Sequence, residues 1–159
     1  MTVARFEHVS TAQYARDMQL PGAMMVEDIP LPRRATRGSA GYDFTCPAEV
    51  TLAPGAQAIV PTGVRVRIEP GWVLLNVPRS SLGRRHGIRL ANTVGVIDSD
   101  YYGADNEGHI LVMLVNGGNH TVTIGRGERF CQGILVPFGL AEEEDVSGVR
   151  SGGFGSTGA

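Results

Sequence analysis

A short apolar run, residues 94–97, ends in Asp98-Ser99-Asp100-Tyr101-Tyr102-Gly103. An apolar run of strand type holds the residue at its end rigidly, so Asp98 can stand fixed at the mouth of a pocket with the ring of Tyr101 beside it. A fixed carboxylate next to a flat ring suits a small planar substrate and a water activated by proton removal. If the strand continues, Asp98 and Asp100 share a face; if the chain turns at Ser99, they part. Alone, the run also fits a strand end with a polar turn.

Other stretches add to it. Pro78-Arg79-Ser80-Ser81-Leu82-Gly83 follows an apolar strand. An Arg fork, two hydroxyls and free amides at a turn make a phosphate-binding corner, or a solvated basic turn. Asn92 stands at a hairpin mouth, where a side-chain amide offers a donor and an acceptor to a base edge. Gln132 interrupts an apolar strand and needs a partner there, backbone or ligand. Asp43 lies between Tyr42 and Phe44, so its carboxylate points away from both rings; it can hold a metal-bound water or balance an Arg. The tail, Arg150-Ser151-Gly152-Gly153-Phe154-Gly155-Ser156-Thr157-Gly158-Ala159, is too glycine-rich to fold alone. Its Phe, Arg and hydroxyls suit a lid that orders on a ligand.

Strands must position these groups. Val64, Val66 and Ile68 alternate with Arg65 and Arg67, the pattern of a half-buried strand. Further strands are expected over 49–52, 57–60, 72–77, 87–91, 109–115, 121–124 and 129–138, with turns at Pro54-Gly55 and Pro70-Gly71. Residues 103–108 read as a surface loop. Ser10-Thr11-Ala12-Gln13 has the form of a capping box and opens a helix over about 11–19. The reading is all-β, a jelly-roll-like barrel or sandwich. Residues 1–28 form a helical extension, 29–141 the β core, and 142–159 an acidic linker and glycine-rich arm.

At 159 residues the chain is one domain with a real core. A net charge of −2 argues against a general nucleic-acid binder. No apolar run approaches a membrane span, and the N-terminus lacks the apolar core of a signal peptide. Cys46 and Cys131 are expected as buried thiols in an intracellular, cytoplasmic protein. All 14 basic residues are Arg, which we read as composition bias.

From Ala40-Gly41-Tyr42-Asp43-Phe44 onward the chain resembles the trimeric dUTPase family. The further matches are Pro78-Arg79-Ser80-Ser81-Leu82, residues 92–103, Gly127-Glu128-Arg129-Phe130-Cys131-Gln132, and Gly152-Gly153-Phe154-Gly155-Ser156-Thr157-Gly158, in the family's order. The resemblance implies a homotrimer with shared active sites, hydrolysing dUTP to dUMP and pyrophosphate with Mg²⁺. It makes Asp98 the base that activates water, and it places Tyr101 under the deoxyribose. Asn92, with backbone of Gly95 through Ile97, would read uracil. Arg79, Ser80, Ser81 and Gln132 would bind phosphates. Phe154, beside Gly155, would stack on uracil, and Arg150, Ser156 and Thr157 would hold the terminal phosphate. Asp43 would position Mg²⁺ through water. Ser81 stands where many members have Gly, and Arg150 is one residue closer to Gly152-Gly153 than usual. Two rivals are a dCTP deaminase of the same fold, which needs a Glu about where Met113 falls, and a nucleotide-sensing protein with a protein partner.

Overall fold

The computed structural model describes residues 1–142 and 152–153. Twelve strands run through these residues: β1 (Ala4–His8), β2 (Arg33–Arg34), β3 (Tyr42–Thr45), β4 (Val50–Leu52), β5 (Gln57–Pro61), β6 (Val64–Ile68), β7 (Trp72–Pro78), β8 (Ile88–Leu90), β9 (Gly95–Ile97), β10 (Leu111–Asn116), β11 (Val122–Ile124) and β12 (Arg129–Pro137). They pair antiparallel in four small sheets, ordered β1-β6, β5-β10-β8, β11-β4 and β2-β3-β12-β7-β9. The architecture is the expected all-β, jelly-roll-like one. Two short helices are α1 (Thr11–Asp17) and α2 (Ser80–His86). No helix among the described residues is long and apolar enough to cross a membrane.

Alternation produces the core. Val64, Val66 and Ile68 of β6 are buried, and Val50 and Leu52 of β4 face Val122 and Ile124 of β11 across the same inner surface. Between them, the outward Thr51 and Thr123 share a hydroxyl hydrogen bond of 2.9 Å. Phe44, Leu74, Leu90, Ile110, Leu114 and Phe130 fill the centre. The Pro54-Gly55 and Pro70-Gly71 turns form where expected. Gly55 and Gly71 take φ +77° and +82°, the left-handed position that closes a type II turn after Pro. Cys46 and Cys131 are buried free thiols. Burial pushes the Cys46 thiol up to about 11 and the Cys131 thiol well above its ordinary range, so both stay protonated and inert.

Three elements differ from expectation. Residues 1–28 are more than a helical extension: β1 pairs with β6 along its whole length, and Val9, Tyr14, Val26 and Ile29 form a second small core. Helix α1 ends at Asp17, two residues before the expected boundary. Its cap is only half of a capping box. The Ser10 hydroxyl accepts from the Gln13 amide at 3.1 Å, a contact worth about 1 kcal/mol, whereas the Gln13 side chain bonds Asp17 and Arg16. The Ser10 amide and hydroxyl turn to the Glu107 carboxylate at 2.8 and 2.6 Å. The basic turn after Arg79 is a helix, α2, with Arg84, Arg85 and His86 in its last turn against the negative end of the helix dipole.

One buried residue joins the N-terminal segment to the core. His109 is fully enclosed. Its Nε2 accepts from the Gly63 amide at 2.8 Å, so the ring proton sits on Nδ1 and is donated to Asp17 at 2.5 Å. Burial holds the His109 pKa below its ordinary 6.5, although Asp17 pulls it upward. A folded value below the unfolded one means the unfolded chain binds the proton more readily. The neutral ring's contribution is complete above pH 6.5 and is lost as the pH falls from there through the folded value. Melting temperature is therefore expected to drop as the pH falls below about 6.5, and the drop should flatten in His109→Gln, which cannot titrate. Equal slopes in both proteins would assign the acid sensitivity to another group.

Candidate active site

Strand β9 positions the carboxylate that the sequence singles out. It pairs with β7 through Leu74↔Ile97, Leu75↔Val96 and Asn76↔Gly95, and Ile97 is buried. The chain then turns: Asp98 caps a 3-10 helix over Ser99–Gly103, and its carbonyl accepts from the Tyr101 amide at 3.2 Å. Asp98 and Asp100 therefore part company. Asp98 is half-buried and Asp100 is exposed.

Asp98 and Tyr101 line a pocket of about 340 Å³. Asn92, Gly95 and Ile97 line it too, so the expected base-reading group and the expected carboxylate share one cavity. Ile110 and residues 111–113 of β10 line it as well, and Gly153 of the tail also borders the cavity. Gly153 packs closely enough on the Tyr101 ring that a side chain there would press against the phenol. Tyr101 is buried, and its hydroxyl donates to the His109 carbonyl at 2.8 Å and accepts from Asn106 at 2.8 Å. Next to it, Tyr102 donates to Glu7 at 2.7 Å and lies under the guanidiniums of Arg65 and Arg67. The Tyr102 hydrogen bond, with the Arg65 charge, holds Glu7 below the usual carboxylate range, and the Ser10 contacts do the same for Glu107.

The expected phosphate groups gather elsewhere. Arg79 Nε pairs with Asp43 Oδ1 at 3.1 Å, Arg129 Nη1 pairs with Asp43 Oδ2 at 3.0 Å, and Arg79 also donates to the Arg129 carbonyl at 3.3 Å. Arg79, Ser81, Arg85 and Arg129 line a separate basic cavity of about 400 Å³. Ser80 and Ser81 are exposed in the first turn of α2, where backbone amides lack helical partners. Gln132 donates to the Pro78 carbonyl at 3.3 Å. Asp43, Gln132 and Val77 are paired across three strands and share one sheet face; Asn76, Gly95 and Gly133 share the other. Arg150, Phe154, Gly155, Ser156 and Thr157 lie outside the described residues.

Sequence reasoning overlooked three residues here. Asn76 breaks the apolar run of β7 as Gln132 breaks β12, the same signal. His109 stands at the start of an expected strand, where no local pattern marks it as a buried link. Arg129 joins Asp43 through a contact that no local pattern announces.

The all-β fold with a half-buried carboxylate in a cavity fits a hydrolytic enzyme of small substrates, and similarity to known proteins gives the class. The dUTPase family model matches residues 27–158. The deoxyuridine 5'-triphosphate nucleotidohydrolase of Lactococcus lactis is 45% identical over 134 residues, covering 82% of this chain and 89% of that protein. The crystal structure of dUTPase from Streptococcus mutans aligns with TM-score 0.69 and 37% identity, over 86% of this chain and 98% of the other. A mutant dUTPase from phage phi11 of S. aureus, described with a structural Mg(II) ion, shares the fold at TM-score 0.69 and 20% identity, over 92% of this chain and 98% of the other. The chain belongs to the dUTPase family of enzymes, whose reaction is hydrolysis of dUTP.

Gly41 has a visible reason to be glycine. A side chain there would overlap the Gln132 amide oxygen. Gly41→Ala is expected to displace Gln132 and raise KM for dUTP about tenfold, with little loss of melting temperature because the contact is with a movable side-chain end. An unchanged KM would remove Gln132 from phosphate binding.

Proposed function

We propose that the chain hydrolyses dUTP to dUMP and pyrophosphate by attack of a water that Asp98 orients and deprotonates. The observation that carries this is the shared cavity, where Asp98, Tyr101, Asn92 and the β9 backbone meet. Asn92 and backbone of Gly95 through Ile97 read uracil. A cavity lined by such groups rejects cytosine, because exchanged donors and acceptors leave buried groups unpaired. Tyr101, held from behind by the His109 carbonyl, packs under the sugar and leaves no space for a 2′-hydroxyl. Asp98 is the carboxylate among the described residues lining the pocket; Met113 lines the wall where a deaminase would need Glu. This favours hydrolysis over deamination.

Arg79, Ser80, Ser81 and Gln132 receive the phosphates. Asp43 and Gln132 face away from the base pocket, so the working site is completed between subunits of a homotrimer. The tail closes over a neighbouring subunit's pocket: Phe154, beside Gly155, stacks on uracil, and Arg150, Ser156 and Thr157 hold the terminal phosphate. Gly153 packs on the Tyr101 ring of its own chain, which supports the fit of a glycine strip against that ring.

Mg²⁺ enters the proposal with the triphosphate, whose charge it neutralises when bound. Asp43 fits poorly as its water-mediated holder. One carboxylate oxygen accepts from the Arg129 guanidinium and the other is ion-paired with Arg79, and no group of three or more His, Cys, Asp or Glu side chains suited to a metal occurs among the described residues. We assign Asp43 to fixing Arg79 and Arg129.

Incubation with dUTP, dCTP, dTTP and UTP tests the reaction. Pyrophosphate is expected from dUTP alone, and ammonia from dCTP would transfer the case to deamination. Asp98→Asn should keep nucleotide binding and lose about 10²-fold or more in kcat. Mixing it with an equally impaired Arg79→Ala protein, with subunit exchange, should restore part of the activity, because some sites then combine intact groups from both. No recovery on exchange would place Asp98 and Arg79 of one site in the same subunit.

A further inference from the structure

The chain has four histidines. Two are engaged inside the fold: His109 bonds Gly63 and Asp17, and His8 Nε2 bonds the Ile29 carbonyl at 2.8 Å. The other two meet at the surface. His86 Nδ1 stands 3.4 Å from His120 Nε2, a partner 34 positions away, with ring centroids 5.7 Å apart and planes at 67°. A contact of that length is a poor hydrogen bond. Two imidazole nitrogens on one tetrahedral Zn²⁺, each about 2.0–2.1 Å from the metal, stand about 3.3–3.4 Å apart. The pair is long for a shared proton and well spaced for a shared cation.

The backbone fixes that spacing. His86 ends α2, and Gly87 caps it at φ +68°, its amide donating to the Gly83 carbonyl at 3.0 Å. The Gly87 carbonyl accepts from the Gly117 amide at 3.0 Å. A side chain on Gly118 would strike the His86 carbonyl, so helix end and loop pack backbone on backbone. Asn116, fully buried, ties down the loop that carries His120. Its Nδ2 donates to the Leu52 and His120 carbonyls, each at 2.8 Å, and its Oδ1 accepts from the Gly118 amide at 2.9 Å. His120 Nδ1 lies 3.3 Å from Asn119 Oδ1. A proton on that nitrogen leaves Nε2 with a free lone pair toward His86, the tautomer that a metal requires.

We propose that His86 and His120 together chelate a divalent transition metal ion, with water completing its shell. They are its two protein ligands, since no larger group of His, Cys, Asp or Glu suited to a metal occurs among the described residues. Two neutral imidazoles without a carboxylate suit Zn²⁺, Ni²⁺ or Cu²⁺ and offer Mg²⁺ or Ca²⁺ no hard oxygen. When the ion enters, His86 Nδ1 gives up the proton it shares with His120, and Nε2 of the same ring carries one instead. Arg84 and Arg85 beside His86 oppose a cation, while the carbonyl end of α2 favours one, so affinity is of micromolar order. The site stands apart from the Asp98 pocket and does not depend on the reaction assigned there.

Calorimetric titration of the untagged, nucleotide-free protein with ZnCl₂ tests the proposal. About one Zn²⁺ per chain is expected, and about a tenfold excess of Mg²⁺ should not displace it. Affinity should fall by at least about tenfold in His86→Asn and in His120→Asn, since losing even a group that only orients a metal ligand costs that much. At about ten times Kd, Zn²⁺ should raise the melting temperature of the unmodified protein by about 3–6 °C and of neither variant. His120 is exposed on its loop, so His120→Asn keeps the comparison open if the helix-end variant folds poorly. Zn²⁺ binding of unchanged strength in His120→Asn overturns the proposal, and so does displacement by Mg²⁺ or the lack of Zn²⁺ binding by the unmodified protein.

Discussion

The enclosed ring of His109, bonded at both nitrogens, is the constraint on which the pocket depends. Its nitrogens tie helix α1, through Asp17, to the turn at Gly63, and its own carbonyl carries the Tyr101 hydroxyl. A charged imidazole so deeply buried would be costly, and the Gly63 amide occupies the nitrogen that a second proton would need. The residue therefore works as a neutral strut with a fixed tautomer. The N-terminal segment, mostly outside the matched family region, becomes part of the pocket's support. Ser10 on Glu107 and Glu7 on Tyr102 brace the same loop from two further points.

Charge at the second cavity is arranged with the same economy. A bare pair of guanidiniums would attract phosphate strongly but would sample many rotamers. Asp43 accepts a hydrogen bond from Arg129 and pairs by charge with Arg79, leaving a net positive clamp with defined geometry. Some attraction is surrendered and orientation is gained. For phosphoryl transfer, which draws mainly on positioning and charge stabilisation, orientation is the scarcer quantity.

Local rules made most of the fold legible. Alternation in β6 and the two Pro-Gly turns are statements about neighbouring residues, and they held; at Ser10 the hydroxyl half of the capping box formed and the Gln13 half did not. Strand β1 was hidden because Ala4–His8 is too mixed to alternate cleanly; only its partner β6 makes it a strand. Helix α2 was hidden because Ser80-Ser81-Leu82-Gly83 favours a turn until Gly87 and the basic last turn close it. At the site, single residues with unusual chemistry in an apolar context were legible, as Asp98 and Gln132 were. Pairings such as Asp43–Arg129, 86 positions apart, carry no local signature.

The period of the β-strand also explains why one chain divides its chemistry between two cavities. In the β3-β12-β7-β9 part of the sheet, Asp43 and Gln132 occupy one face, while Asn76 and Gly95 occupy the other. Adjacent positions on one strand cannot turn the same way without a bulge, and the one irregularity in β12, between Arg129 and Cys131, precedes Gln132. A nucleotide long enough to need both sets of groups must meet them from different directions. The homotrimer proposed above would solve this, with copies bringing the outer face of one sheet to the proposed base pocket of another. Ligand and assembly are then linked, since a nucleotide held by two copies stabilises the contact between them.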